Sequence, residues 1–304
     1  MQTRIRQWAA MMVMAATTCT FTSVHAQGAS SDPNEAERIA ASKAAQAAQI
    51  VGPAEIKLRD QAVLKLPAAY VWVPEPAASR LMKALGNHPD ERELGLIFPK
   101  SDDQNWMIVA EYEPAGYIKD DDAKNWDVDE LLTSVQEGTA EANKDRKEHG
   151  FAELEIVGWI EKPIYQPNHH HLVWSIAAKH KGDTTGQSQS VNYNTYALGR
   201  EGYISMDLIT GNDTIAADKS HVQSVLGALA FTDGKRYADF NSSTDKVAAY
   251  GLAALVGGLA VKKLGLFAVA AAFFLKFAKV IALAAAGGFG VFTKFFKGKS
   301  KDPS

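Results

Sequence analysis

Three consecutive carboxylates, Asp120, Asp121 and Asp122, followed closely by Asp127 and Glu130, are the residues whose types and spacing come nearest to chemistry. Clustered acids can hold a cation or divide the work of a general acid and a general base. A calcium loop needs oxygen ligands at its first, third and fifth positions, glycine at the sixth and glutamate at the twelfth. Counted from Asp120, the last three of these fall on Lys124, Asn125 and Leu131, and the pattern fails. A solvated acidic loop is the favoured reading, ahead of a nonstandard cation site and of a catalytic pair.

The run "NHHHLVW" raises a metal site, because neutral imidazole is a common metal ligand. In a strand, His169 and His171 share one face with Val173 and Ser175, whereas His170 shares the other with Leu172, Trp174 and Ile176. The second face is the apolar one, so His169 and His171 are expected to point to water. Two imidazoles there need further ligands from elsewhere to hold a metal. In "VNYNTYALGREGY", Asn192 and Asn194 fall on one face with Tyr196 and Leu198. Inward-facing amides need partners, either a core network, the preferred reading, or a ligand. Serines, histidines and aspartates form no nucleophile elbow, phosphate loop or dinucleotide fingerprint. No catalytic, cofactor or metal residue is assigned, and no cofactor is expected; the candidates are Asp120, Asp121, Asp122, His169 and His171.

Elements that would position these groups follow from periodicity. "EIKL", "AVLKL" and "YVWVP" alternate as strands, with Arg59 and Asp60 in a turn. Pro74 and Pro76 open a helix carrying Leu81, Met82 and Leu85, which Gly86 stops. "ELGLIF" and "NWMIVAEYE" read as further strands. Asp127 is placed as the cap of a long helix, with Glu130 completing a capping box and Leu131, Leu132, Val135, Thr139 and Ala142 at helical spacing up to Gly150. Past it, "LEIVGWIE", "HHLVWSIAAKH", "SVNYNTYALG" and "GYISMDLIT" predict a meander of antiparallel strands. A helix over 214–230 carries Val222, Val225, Leu226 and Leu229 on one side. The expected fold class is α+β: a mainly antiparallel sheet with packed helices, in one domain over 51–246, followed by a C-terminal transmembrane segment.

The ends differ from this body. Residues 1–26 have the build of a secretory signal: Arg4 and Arg6, an apolar run from Trp8 to Ala16, and a polar stretch closing on Ala26. That apolar run is too short for a bilayer, which takes about 20 residues. Cys19, the single cysteine, leaves with it, so thiol catalysis and zinc–cysteine sites are excluded from the mature chain. The alanine-rich stretch 27–50 reads as a tether or a marginal helix. The net charge of −3 divides sharply: two arginines in 1–26 and eight lysines against Asp302 in 247–304 leave the body between them at −12. Such acidity argues against nucleic acid as a partner of the body.

Residues 247–296 form an apolar segment whose ionic groups are all lysines. Lys262, Lys263, Lys276, Lys279 and Lys294 interrupt it, and Lys297 follows in the basic end 297–304. A straight helix over 264–292 is long enough to span, yet puts Lys276 and Lys279 near the bilayer centre at about 2.5 to 3.5 kcal/mol each. At about 100° per residue Lys262, Lys276, Lys279, Lys294 and Lys297 keep to one side, with Lys263 the exception. That stripe suits an interfacial helix with snorkelling lysines, or helices packed with their lysines together. An anchor with at least one span is favoured, its basic end cytoplasmic by the positive-inside tendency.

The ordered blocks "LKLPAAYVWVP", "LMKALGN", "GYIKDDDAKNWDVDELL", "EGTAEANKDR", "VGWIEKPIY", "HLVW", "VNYNTYALGREG" and "YADFNSSTDKVAAYGLAALV" resemble those of a bacterial family of uncharacterised membrane-anchored proteins containing a domain of unknown function. The resemblance runs from about Gly52 into the lysine-broken tail. It implies a periplasm-facing domain with a C-terminal membrane attachment, and no activity or catalytic residue. The expected function is therefore that of a non-enzymatic envelope protein, with the lipid bilayer, an envelope protein or a second copy as partner. The alternatives are a membrane-bound hydrolase using Asp120 to Asp122 with His170, and a tail that acts on the bilayer as an oligomer.

Overall fold

The structure, a computed structural model, describes residues 33–257 apart from 86, 88, 102, 125, 149–151, 187 and 188. The expected signal sequence, residues 27–32 of the alanine-rich stretch, residues 258–296 of the expected anchor, the basic end and all six lysines named there lie outside the described residues. Among the described residues no helix is long and apolar enough to cross a membrane.

An eight-stranded antiparallel sheet runs β1-β4-β5-β6-β10-β9-β8-β7. Its strands are β1 (Ile50–Val51), β4 (Tyr70–Pro74), β5 (Glu93–Pro99), β6 (Met107–Glu113), β7 (Leu154–Gln166), β8 (His171–His180), β9 (Ser190–Leu198) and β10 (Tyr203–Gly211). The run from β7 to β10 is the meander that the reversals in the sequence predict, each strand pairing antiparallel with the next. A smaller sheet, ordered β11-β3-β2, holds β2 (Ala54–Leu58), β3 (Ala62–Leu66) and β11 (Leu229–Phe231). The α+β class with a large antiparallel sheet and packed helices is what the structure has.

Alternation along the strands divides the core between two faces. Trp72, Ile108, Val173, Val191, Tyr193 and Met206 pack under the small sheet and α4 (Ile215–Gly227), whose Val222 and Val225 are fully buried. The opposite face carries Val73, Phe98, Val109, Ile176 and Ile209 against α1 (Pro33–Ala48), α2 (Ala77–Ala84) and α3 (Val128–Glu148). Leu81 and Met82 of α2 are fully buried, each side chain contributing about 1.5–3 kcal/mol of transfer free energy. Within the stretch 27–50, residues 33–48 form a helix, α1, which buries Ala41 and Ala45.

Two boundaries depart from expectation. Helix α4 stops at Gly227, and Leu229 leaves it to pair with Leu64 of β3. The chain turns because Lys65 N–H bonds Ala228 O (3.0 Å), which draws it onto the edge of the small sheet. The first residues of the apolar C-terminal segment are also packed on the domain. Tyr117 N–H bonds Lys246 O and Ala248 N–H bonds Tyr117 O, both at 2.8 Å. Beyond this bridge α5 (Leu252–Gly257) buries Leu252 and Val256 beside Ile118 and Leu131 of α3.

The edge strand β7 is long and irregular. Its register against β8 shifts at three places between Ile156 and Ile164, and Pro163 lies among them. The start of α3 follows the sequence reading: Asp127 Oδ1 accepts from Asp129 N (2.9 Å) and Glu130 N (3.1 Å).

Candidate functional site

The histidine run lies where β7 turns into β8: His169 and His170 belong to the turn, His171 opens β8, and the rings go to opposite sides. His169 and His171 fall on the face of Val173, their ring centroids 5.8 Å apart. His170 goes to the other face and stacks on Tyr237 at 4.2 Å. The period-two reading assigned those faces. It did not foresee that His170 adopts φ = 53°, a left-handed conformation that a non-glycine residue holds only when its surroundings fix it.

Beside His169 and His171, a hollow of about 260 Å³ opens between β8, β9 and the end of α4. His169, His171, Val173, Tyr193, Thr195 and Gln223 line it, with Leu226 and Gly227 closing the helix side. Val173, Tyr193 and Thr195 come from alternate positions of paired strands, since Val173 lies opposite Thr195. His169 is exposed, as expected, but His171 is half-buried. Burial, reinforced by His169 and His170, pushes the His171 pKa down to about 4, so the ring is neutral at pH 7. Burial, with the Glu161 charge adding to it, lifts Tyr193 to about 12 against a hydrogen bond from Gln223, and its phenol stays protonated. Thr195 is 1% exposed, and its Oγ1 finds no hydrogen-bond partner among the described residues. Lys219 stands 5.6 Å over the Tyr193 ring and pairs with Glu161, so these two charges offset one another.

On the other face a hydrogen-bonded chain links the acidic loop to the histidine turn. Tyr165 OH donates to Asp120 Oδ2 (2.8 Å) and lies 3.0 Å from His170 Nδ1. Because the hydroxyl proton goes to Asp120, Nδ1–H must donate to the phenol oxygen, and Nε2 of a neutral His170 keeps its lone pair. Burial lowers the His170 pKa, with the Asp120 charge opposing it. Burial and the Asp120 hydrogen bond hold Tyr165 well above the usual phenol range. Tyr237, beneath the imidazole, gives its hydroxyl to Ile118 O (2.8 Å).

Asp122 has a different role. Its carboxylate accepts from Leu252 N (3.1 Å) and Ala253 N (3.0 Å), capping α5. The solvated-loop reading therefore applies to Asp121, which is exposed, and not to its two neighbours. Asp120, Asp121 and Asp122 do not converge on one point, and among the described residues no group of three His, Cys, Asp or Glu side chains is placed to hold a metal ion. Asn192 and Asn194 are buried on the same face as Tyr196, but the network expected around them is thin. Asn194 Nδ2 reaches Asn192 O at 3.4 Å, and both Oδ1 atoms lack partners among the described residues.

Tyr165, Tyr193, Thr195 and Gln223 were missed by sequence reasoning. Each looks like ordinary strand or helix filling, and only strand pairing and the docking of α4 bring it to a site.

The sequence model of a family described as "Protein of unknown function (DUF2167)" matches residues 50–287. No curated protein matches the chain. Among solved structures, the solution structure of cyanobacterial PsbP (CyanoP) from Synechocystis sp. PCC 6803 is similar at 12% identity. The match covers 60% of this chain and 91% of that one, with a TM-score of 0.34.

Proposed function

The chain belongs to the DUF2167 family of proteins of unknown function, and from that premise we propose that it is an envelope-bound binding module. Its α+β domain faces the periplasm, and the apolar C-terminal segment attaches it to the membrane. The observation that carries the binding reading is the hollow of about 260 Å³ with a buried Thr195 hydroxyl unpaired among the described residues. A small concave site with a few convergent polar groups is the usual form of a ligand site. The location is supported by the signal-like N-terminus and by the lysine-broken apolar tail.

Gly227 gives a direct test, because a Cβ built there meets nothing within 4 Å. Gly227→Trp should fill the hollow without forcing the fold. The full chain, purified in detergent and sprayed under native conditions, is expected to carry a small-molecule adduct that the variant lacks; identical spectra would sink the reading. For the location, a reporter fused at residue 240 should be active outside the inner membrane, and activity confined to the cytosol would overturn it.

One observation favours a second reading, a hydrolase: Tyr165 OH joins Asp120 to His170 and leaves Nε2 as a base. Replacing Asp120, Asp121, Asp122 and His170 and finding every envelope-dependent phenotype intact would remove it.

A further inference from the structure

We infer that the hollow takes an uncharged, polyhydroxylated ligand of about the size of one sugar ring. This rests on the hollow being the binding site and goes on to name what it binds.

The chemistry of the lining supports it. Gln166, Gln223, Thr195, Tyr193 and His171 are amides, hydroxyls and an imidazole, and each of these groups can both donate and accept a hydrogen bond. A sugar hydroxyl also does both, so each lining group can use either capacity with it. His171 and Tyr193 are held in their neutral forms at pH 7. No Asp, Glu, Lys or Arg side chain lines the hollow, its second imidazole, His169, stands at the exposed rim, and Lys219 and Glu161 beside Tyr193 pair with one another. A charged ligand would therefore lose hydration without gaining a counter-charge. Val173 and Leu226 supply an apolar wall for the C–H face of a ring. The volume lies just below the usual range of about 300–1,000 Å³ for drug-sized ligands, which suits one ring better than a chain of them.

Charge and shape can be separated with three probes that share one ring: D-glucose, D-glucuronate and D-glucosamine. The full chain, in a detergent without a sugar headgroup, is labelled at threonine, valine and leucine methyls and titrated with each. Glucose should shift the Thr195, Val173 and Leu226 signals, and the two charged sugars should bind at least about tenfold more weakly. Thr195→Val, which replaces the hydroxyl by a methyl of the same shape, should weaken glucose by about tenfold while leaving the remaining spectrum in place. Gln223→Ala, on the exposed end of α4, should weaken it as well and covers the case in which the buried change unsettles the strand.

Equal or tighter binding of glucuronate or glucosamine in the hollow would overturn the uncharged ligand and leave the binding site standing. Displacement of glucose there by a neutral diamide, N-acetylalanine methylamide, would overturn the polyhydroxylated ligand and likewise leave the binding site standing. Glucose shifts confined to methyls elsewhere, insensitive to Gly227→Trp, would overturn both the ligand and the site. Silence from all three sugars would overturn the ligand class, and the adduct comparison with Gly227→Trp would still decide the site by itself.

Discussion

Removing the Asp122 carboxylate tests whether the acidic loop is a structural clasp. Asp122→Ala deletes the bonds from Leu252 N and Ala253 N, leaving the start of α5 uncapped. Loss of such a cap costs about 0.5–2 kcal/mol. Against it stands the burial of Leu252 and Val256, about 1.5–3 kcal/mol each. The docked helix should therefore remain the majority form, with its open form enriched about 2- to 30-fold. Hydrogen exchange on the full chain reads this directly: amides over 252–257 should lose protection by that factor, while those of β9 and β10 keep theirs. Gly251 provides a cross-check, because a Cβ there would lie 2.5 Å from Asp122 Oδ2. Gly251→Ala should loosen α5 in the natural background and do much less in Asp122→Ala, a non-additivity expected of groups in contact. Unchanged protection of 252–257 in Asp122→Ala, or strictly additive effects of the pair, would refute the clasp.

Tyr165→Phe should cost about 1–2 kcal/mol in urea denaturation and release the His170 tautomer, seen as a change in its imidazole nitrogen shifts; an unaltered ring would discount the bridge. His171 is neutral in the folded protein down to about pH 4, whereas in the unfolded chain it takes up a proton near 6.5. Between those values the unfolded state binds more protons, so stability should fall as pH drops through that window, with His170 adding in the same direction, and His171→Gln should flatten the slope of denaturation midpoint against pH. Asp245 is held below the usual carboxylate range by Arg200, which donates to both its oxygens at 2.7 Å. Its contribution is present at neutral pH and lost on acidification, so Asp245→Asn should narrow the stability gap between pH 7 and acid. Gly199→Ala would bring a Cβ to 2.5 Å from the Phe231 ring and should lower the melting temperature, at a cost of about 1–3 kcal/mol.

What the sequence makes legible is local. Strands from Ala54 to Pro74 and from Leu154 to Gly211 show alternation or turn residues within a short window, and Asp127 announces α3 two and three residues ahead of the amides it caps. The sides taken by His169, His170 and His171 agree with a period of two, although only His171 lies in the strand and the turn sets the other two. The site is not local. Asp120 meets Tyr165 across 45 residues of chain, and Asp122 meets Leu252 across 130. No spacing rule relates them, and three adjacent acids look alike until the tertiary fold gives each its own surroundings. Thr195 and Gln223 share the hollow only because α4 docks on β9, and neither carries a motif. Helix α5 was merged with the apolar tail because composition runs without a break from Val247 onward, while Leu252 and Val256 belong to the domain.

Strand β7 bears on how copies of this protein coexist at high local density. It is an outer strand with Val157, Ile160 and Ile164 exposed, the kind of border on which another chain's strand could zip up and begin a fibre. Zipping needs a straight ladder of donors and acceptors, and the three register breaks and Pro163 deny it one. Crowded molecules can brush greasy borders without polymerising through them.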